Sequence, residues 1–306
     1  MAENTKAHSH GSQKKLLLSM LLTGIIFVAE FIGGLTTGSL ALLSDSAHVF
    51  MDVFALGLSY LAFRVAAKPA NDKHTYGYHR MQVLAALVNG VTLLVISIEI
   101  FREAILRFSN PQPIETGLML VIAVIGLVVN VIVAFVLHDH DHDDLNTRSA
   151  FLHVLGDTLA SVGVIVAGVL IHFTGLVIID PLMSLAISLL ILFSAGRLLK
   201  ETVHILVEGM PENISVAEVT ASIKSIEGIL EVHDFHAWAI SPDYIAFSAH
   251  ILLEDQMLSQ TNAIMEKVKA VLEKFNIHHT TIQFECSNCG QGRVCLDNQG
   301  QPTSCD

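Results

Sequence analysis

Six long apolar segments occupy the first two thirds of the sequence and restrict what the chain can fold into. A helix needs about 20 apolar residues to cross the hydrocarbon core of a bilayer, and each segment reaches that length. Of the 306 residues, 52% are apolar and 15% are charged, against about 25% charged in ordinary soluble domains. The sequence therefore predicts an all-α bundle of six transmembrane helices in contact with membrane lipid. The segments are 16–36, 39–66, 81–107, 115–137, 148–173 and 178–205.

The basic residues near the ends of these segments lie mostly on one side of the predicted bundle. The loops on the opposite side have essentially only Arg107. Because cytoplasmic loops are enriched in Lys and Arg, both termini are predicted to be cytoplasmic. The residues on the cytoplasmic side are Lys14, Lys15, Arg64, Lys68, Lys73, Arg80, Arg148, Arg197 and Lys200.

From residue 208 onward the pattern changes to that of a soluble domain. Residues 214–226 and 261–275 are predicted helices, and 230–240, 244–254 and 280–285 are predicted strands. The order αββαβ predicts a small α+β domain of ferredoxin-like type. The predicted domains are an N-terminal tail at 1–14, the transmembrane domain at 15–207, the soluble domain at 208–286 and a cysteine-containing tail at 287–306.

Two of the apolar segments contain the same polar motif, His-x-x-x-Asp. It occurs at His48 and Asp52 in the second segment and at His153 and Asp157 in the fifth. A spacing of four residues puts both side chains on one face of a helix. An Asp near mid-membrane costs about 2.5–3.5 kcal/mol on insertion scales, so its repeated occurrence indicates a function. Two imidazoles and two carboxylates together provide the four ligands that Zn²⁺ takes tetrahedrally.

Other polar residues lie in the same apolar segments. Asp45 precedes His48 by about one turn, and it either orients an imidazole or marks the entry of the helix. Glu30, Asn89 and Asn130 are predicted to hydrogen-bond between helices rather than to line an ion path.

Four motifs together carry a resemblance to a known family. They are Gly38-Ser-Leu-Ala-Leu-Leu-Ser-Asp-Ser-Ala-His48, the paired His-x-x-x-Asp, His74-Thr-Tyr-Gly-Tyr-His79-Arg80 and Leu206-Val-Glu-Gly-Met-Pro211. They resemble the cation diffusion facilitators, in particular the zinc-transporting branch of bacterial exporters and animal vesicular transporters. The resemblance extends over about residues 14–286. It implies a homodimer, six transmembrane helices, a cytoplasmic ferredoxin-like domain and exchange of Zn²⁺ for protons. It further implies that a His in the second segment goes with zinc, and an all-Asp site with manganese.

The same resemblance implies a regulatory metal site in the cytoplasmic domain, at His233, His250 and Glu285. Strand alternation places His250 and Glu285 on the face opposite the core, pointing outward. Some relatives have a His where this chain has Gln283, and this difference weakens the case for a binuclear site.

Several other histidines are candidate ligands outside the apolar segments. A second family site is matched only in part at His74, because Asn71 and Tyr78 stand where relatives have an acid and an imidazole. The loop after the fourth segment alternates His with Asp, and an N-terminal pair is similar. Each either collects cations or is a solvated polar segment. These residues are His138, His140, His142, His8 and His10. With a formal net charge of −12, the chain is expected to bind cations and not nucleic acid.

Cys286 and Cys289 form a Cys-x-x-Cys pair directly after the last predicted strand. Two thiolates from one turn are half of a zinc site. A similar pair in vesicular relatives meets N-terminal ligands of the partner subunit, which here implies the two N-terminal histidines. Alternatively, Cys295 and Cys305 complete a set of metal ligands within one subunit. A redox pair is the alternative, although no thioredoxin-like pattern surrounds it.

The motifs favour a transporter over an enzyme. The predicted function is export of Zn²⁺ from the cytoplasm by alternating access, although Cd²⁺, Co²⁺ and Ni²⁺ suit the same ligands. An intramembrane zinc hydrolase is disfavoured, because four protein ligands leave no open position for catalysis. A metal-sensing receptor without transport stays open. The compact length and short histidine loop favour a bacterial inner membrane.

Overall fold

The computed structural model describes residues 21–138, 145–287, 295–296 and 302–303, with side chains at 21–132 and 158–287. The chain divides into two compact units. One unit comprises Met1–Leu61 with Ala85–Leu199, and the other comprises Ala62–Leu84 with Lys200–Asp306.

The amino-terminal part of the chain is helical. Each predicted apolar segment from the second to the sixth corresponds to a helix whose ends lie within three residues of the predicted ones. By length and composition, α2, α3 and α6 are long and apolar enough to cross a membrane. In the other three helices, the described side chains form apolar stretches at Leu21–Thr37, Thr116–Ile132 and Thr158–Thr174. The helices are α1 (Leu21–Thr37, its described part), α2 (Leu40–Ala66), α3 (Arg80–Ser109), α4 (Thr116–His138), α5 (Leu145–Thr174) and α6 (Ile179–Leu206).

Small and large apolar residues pack together between the helices of the first unit. Ala41 on α2, Ala123 on α4 and Val164 on α5 are almost fully buried in one cluster, which also includes Ile187 and Ile191 of α6. In lipid, where no hydrophobic effect drives helices together, such close packing is a main source of association. Large apolar side chains elsewhere on these helices are exposed.

The start of α2 is held by residues from distant parts of the chain. Ser39 is its N-cap, and its Oγ accepts a hydrogen bond from the backbone N–H of Leu42 at 3.1 Å. The buried Asp180 carboxylate of α6 accepts further hydrogen bonds from Ser39 Oγ and from the N–H groups of Leu40 and Ala41. The turn before α2 requires glycine, since Gly38 has φ +74° and a Cβ there would lie 2.8 Å from a backbone oxygen.

The carboxy-terminal unit contains a three-stranded sheet with two helices. The elements follow in the order α7 (Val216–Lys224), β1 (Ile229–Ser241), β2 (Tyr244–Leu253), α8 (Leu258–Glu273) and β3 (Ile277–Glu285). The strand order in the sheet is β1-β2-β3. β1 and β2 pair antiparallel, whereas β2 and β3 pair parallel with α8 as the connection, as a parallel pair requires. A short pair, β4 (Cys295–Leu296) and β5 (Pro302–Thr303), follows.

The core of this unit lies between the helices and one face of the sheet. The predicted inward set of β2 is confirmed, since Ile245, Phe247, Ala249 and Ile251 are all at most 2% exposed. Val219, Ile223, Val268 and Leu272 cover them from α7 and α8. The other face of the sheet is therefore where the polar residues of the strands collect.

Candidate metal-transport site and cytoplasmic metal cluster

His48 and Asp52 both lie on α2, which is one continuous helix over this stretch. Their i, i+4 spacing puts them on one face, and both side chains are half-buried. The predicted placement of the first motif on one helical face is therefore confirmed.

His153 and Asp157 lie within α5, so the second motif is also helical. Their side chains lie outside the described residues, as do those of His138, His140 and His142 and the whole of the N-terminal tail. The meeting of the two motifs in a four-ligand site therefore stays a prediction.

A buried hydrogen bond connects the two helices that carry the motifs. Ser161 Oγ, one turn after the second motif on α5, donates to Asp45 Oδ2 on α2 at 3.1 Å. Asn130 Nδ2 on α4 donates to Ser161 Oγ at 3.3 Å. The bond joins positions about one turn from each motif, and it fixes how the two helices face each other.

The structure distinguishes between the two roles that the sequence predicts for Asp45. The residue lies inside α2 and is buried, whereas Ser39 caps the helix start, so the helix-entry interpretation is wrong. Its orienting of an imidazole stays a prediction. Sequence reasoning missed Ser161, although a Ser four residues after an intramembrane Asp is a usable signal.

The three residues predicted to hydrogen-bond between helices behave differently. The prediction is confirmed for Asn130. Among the residues with described side chains, Asn89 Oδ1 and both carboxylate oxygens of Glu30 are buried without a hydrogen-bond partner. For these two residues the prediction is wrong within the described part of the chain.

In the carboxy-terminal unit, His233, His250 and Glu285 converge on the polar face of the sheet. One potential ligand atom from each lies within 4.8 Å of the others. His250 Nδ1 is 2.9 Å from Glu285 Oε1, and His233 Nε2 is 3.3 Å from Glu285 Oε2. Strand pairing explains the meeting, because His233 lies opposite His250, and Glu285 pairs with Leu252, two residues after His250 on β2.

The geometry of this cluster fits a bound cation. Neither imidazole nitrogen has hydrogen-bond geometry towards the nearby carboxylate, although both nitrogens are buried. Two imidazoles and one carboxylate that approach closely without hydrogen bonds between them are disposed like ligands around a common point. Imidazole and carboxylate are ligands that Zn²⁺ accepts.

Glu285 differs from its predicted position in one respect. The sequence predicted that it points outward, yet its side chain is only 6% exposed. The outward face is not open to solvent there, because His233 and His250 cover the carboxylate. Gln283 Nε2 also donates to Glu285 Oε1 at 2.8 Å, so Gln283 supports the carboxylate in the position where some relatives have a His.

Asp234 is a neighbour of the cluster that sequence reasoning missed, and it approaches the nitrogen of His250 that faces away from Glu285. Its Oδ2 lies 3.5 Å from His250 Nε2, and its Oδ1 lies 3.0 Å from His236 Nε2. The register of β1 shifts between His233 and His236, and Asp234 has φ +48° within that irregularity. A bulge redirects a side chain in this way. The signal in the sequence is the run His-Asp-x-His, which a regular strand would spread over both faces.

Two predicted sites gain less support. His74 is exposed, and its ring stacks on that of Tyr78 at 4.5 Å, while Asn71 Nδ2 donates to the Tyr78 hydroxyl. Among the described residues, His74 belongs to no group of three potential ligands. Cys286 is an exposed free cysteine. Cys289, Cys305, His8 and His10 lie outside the described residues, and only the backbone of Cys295 is described.

Comparison with known proteins finds a matching family model for each part of the chain. The family model described as "Cation efflux transmembrane domain" matches residues 16–207. The model described as "Cation efflux protein, cytoplasmic domain" matches residues 211–287.

Three similar proteins cover nearly the whole chain. The "Cadmium, cobalt and zinc/H(+)-K(+) antiporter" of Bacillus subtilis is 44% identical over 283 residues, which are 91% of each protein. The "Zinc transporter ZitB" of Escherichia coli is 38% identical over 307 residues, with 96% of each covered. The "Metal cation efflux system protein CzcD" of Cupriavidus metallidurans is 36% identical over 301 residues, covering 98% of this chain and 95% of the relative. The resemblance indicated by the motifs is thus confirmed, and the chain belongs to the cation efflux family, the cation diffusion facilitators.

Proposed function

We propose that the chain is an antiporter that exports Zn²⁺ from the cytoplasm in exchange for protons. The metal binds His48 and Asp52 of α2 together with His153 and Asp157 of α5. The observation that supports this site best is the buried Ser161–Asp45 hydrogen bond, because it connects the two helices next to their motifs.

The ligand set suits exchange between a metal ion and protons. Metal ligands have to be deprotonated, so an arriving cation displaces protons from the imidazoles, whose unperturbed pKa is about 6.5. With two carboxylates the loaded site is close to neutral, and neutrality lowers the cost of holding a divalent ion within the bilayer. Alternating access then exposes the site to the far side, where protons compete the metal off.

The names of the relatives set the range of substrates. One relative is named for zinc alone, and another for cadmium, cobalt and zinc with protons and potassium as counter-ions. Zn²⁺ is therefore the proposed main substrate, with Cd²⁺, Co²⁺ and Ni²⁺ as competitors for the same ligands.

The proposed architecture follows the sequence predictions. Six membrane-spanning helices at 15–207 precede a ferredoxin-like domain at 208–286, and the protein forms a homodimer in a bacterial inner membrane with cytoplasmic termini. The helix–strand order and parallel β2–β3 pair support the ferredoxin-like assignment. A metal ion at His233, His250 and Glu285 regulates the transporter, provided that it binds one conformation of the dimer more tightly than the other.

Zinc flux into proteoliposomes tests the proposal. Purified full-length protein is compared with and without a pH gradient, and Asp157→Ala is compared with Asp243→Ala in the exposed β1–β2 turn. Gradient-driven flux is expected in the wild type and the turn variant, and a loss to the level of protein-free liposomes in Asp157→Ala. Full flux in Asp157→Ala contradicts the proposed site. Tight zinc binding without flux in the wild type favours a metal-sensing receptor.

A further inference from the structure

Glu30 of α1 is a fully buried acid that the proposed metal site does not use. Its side chain is 0% exposed. Its Oε1 rests against the backbone of Gly126 on α4, where a Cβ would overlap it, and Ile26 lies next to that position. The glycine therefore provides the space in which the carboxyl group lies.

The surroundings of Glu30 do not stabilise a negative charge. Among the residues with described side chains, neither of its oxygens accepts a hydrogen bond, and it has no ion-pair partner. Asp45 of α2 is close enough for its own negative charge to act on Glu30. A buried carboxylate beside another, without donors, is strongly unfavourable unless a cation accompanies it.

The two acids are not equivalent. Asp45 accepts the hydrogen bond of Ser161, which in turn accepts one from Asn130, so its charge has support from α4 and α5. Among the residues with described side chains, Glu30 has no such support, and the residue of α4 beside it is the uncharged Gly126. Of the two acids, Glu30 is therefore the one whose negative charge the described surroundings leave without hydrogen bonds.

The position of the pair connects it to the helices of the metal site. Asp45 lies three residues before His48 on α2, and Ser161 lies four residues after Asp157 on α5. A movement of α2 against α1 changes the distance between Asp45 and Glu30, and thereby the repulsion between two negative charges there. The side chains of Glu30, Asp45 and Ser161 offer oxygen atoms, whereas late transition metals favour sets that include imidazole or thiolate.

We propose that Glu30 is a proton-carrying site of the transport cycle, separate from the metal ligands. It binds one proton from the far side and releases it to the cytoplasm, and no bond other than O–H forms or breaks. This inference rests on the antiport proposed above. It adds a counter-ion site on α1, outside both His-x-x-x-Asp motifs.

Two assays on the full-length protein in proteoliposomes test this inference. One measures zinc uptake driven by a gradient of about one pH unit, and the other measures exchange of labelled zinc at equal zinc and pH on both sides. The variants are Glu30→Gln, which is neutral and of the same shape, and Glu30→Asp, which still titrates. Glu103→Gln on α3 is the matched control, because Glu103 is partly exposed and pairs with Arg107.

In Glu30→Gln, the ratio of gradient-driven uptake to zinc exchange is expected to fall about tenfold, since one pH unit is a tenfold difference in proton activity. Glu30→Asp and Glu103→Gln are expected to keep the wild-type ratio within about twofold. An unchanged ratio in Glu30→Gln overturns the inference. So does a folded Glu30→Gln protein that loses exchange as strongly as uptake, because Glu30 then belongs to the metal path.

Two further outcomes distinguish a failure of the proton assignment from a failure of the antiport itself. If Glu30→Gln loses a response to a potassium gradient but keeps the response to pH, the site carries potassium and the proton assignment is wrong. If the wild type itself shows zinc flux without any response to pH, the antiport fails and the proton site fails with it.

Discussion

Asp180 and Glu30 are both carboxylates buried completely among the helices, yet their surroundings are opposite. Asp180 accepts three hydrogen bonds at the start of α2, from one hydroxyl and two backbone N–H groups. Glu30 accepts none from the described side chains and backbone around it. The comparison indicates that a buried acid with a full set of donors stabilises the fold. For the acid without donors, we propose a role in proton transport instead.

Removal of the supported acid is expected to have the largest effect on stability. Asp180→Ala leaves the N–H groups of Leu40 and Ala41 without their acceptor. Because each buried, unsatisfied group costs about 1–3 kcal/mol, we expect a loss of about 3 kcal/mol of stability. Thermal unfolding in detergent measures it. Ser39→Ala, which removes only the N-cap side chain, is expected to cost about 1 kcal/mol. Equal unfolding temperatures of wild type and Asp180→Ala contradict the anchoring role.

Glu285 is a third buried acid, and it lies outside the apolar helices. The cation proposed to accompany it is a metal ion and not a proton. At a free zinc concentration of about 100 times the dissociation constant, a bound ion stabilises the folded state by about 2.7 kcal/mol. The wild type is therefore expected to unfold at a higher temperature with zinc, and Glu285→Gln to lose most of this shift. Glu254→Gln, an exposed residue directly after β2, serves as the control. A full zinc shift in Glu285→Gln argues against this acid as a ligand.

The space around Glu30 provides a further test. Gly126→Ala places a Cβ against the Glu30 carboxyl group and is expected to cost about 2 kcal/mol through overpacking. Combination with Glu30→Ala is expected to recover about 1 kcal/mol or more of this cost, because the clash then disappears. Gly117→Ala on the same helix is the control, since a Cβ there meets no atom within 4 Å. Additive costs in the double variant, measured by thermal unfolding, contradict the described packing.

The smallest stability change is expected for Glu30→Gln. Because Glu30 accepts no hydrogen bond from the described residues, a neutral amide of the same size changes stability by about 0.5 kcal/mol or less. Circular dichroism melting in the same detergent measures the difference. A loss as large as that of Asp180→Ala removes the distinction between the two acids and makes Glu30 a second structural anchor.

Sequence reasoning succeeded where the information is local. The helices follow from apolar length, and the shared face of His48 and Asp52 follows from the helical repeat. The alternation of β2 predicted its buried residues correctly. The family resemblance grouped His233, His250 and Glu285 as candidate ligands, and the structure places them within reach of one another.

What the sequence did not reveal depends on contacts between distant residues. Asp180 and Ser39 are separated by 141 positions, and Ser161 and Asp45 by 116. The burial of Glu285 depends on which imidazoles cover it across the sheet, and the role of Asp234 depends on a bulge. No local pattern records these pairings, so hydropathy and spacing identify such residues only as polar.

The pairing of β2 with β3 has a consequence for synthesis of the protein. β1 and β2 are neighbours along the chain and form a hairpin from local sequence, whereas β3 joins only after α8 has been made. Glu285 is the last residue of β3, so a nascent chain that ends before it lacks the acid between the two imidazoles. The proposed metal binding at this cluster thus requires a fully synthesised cytoplasmic domain, and a transporter that ends before β3 lacks the proposed regulatory site.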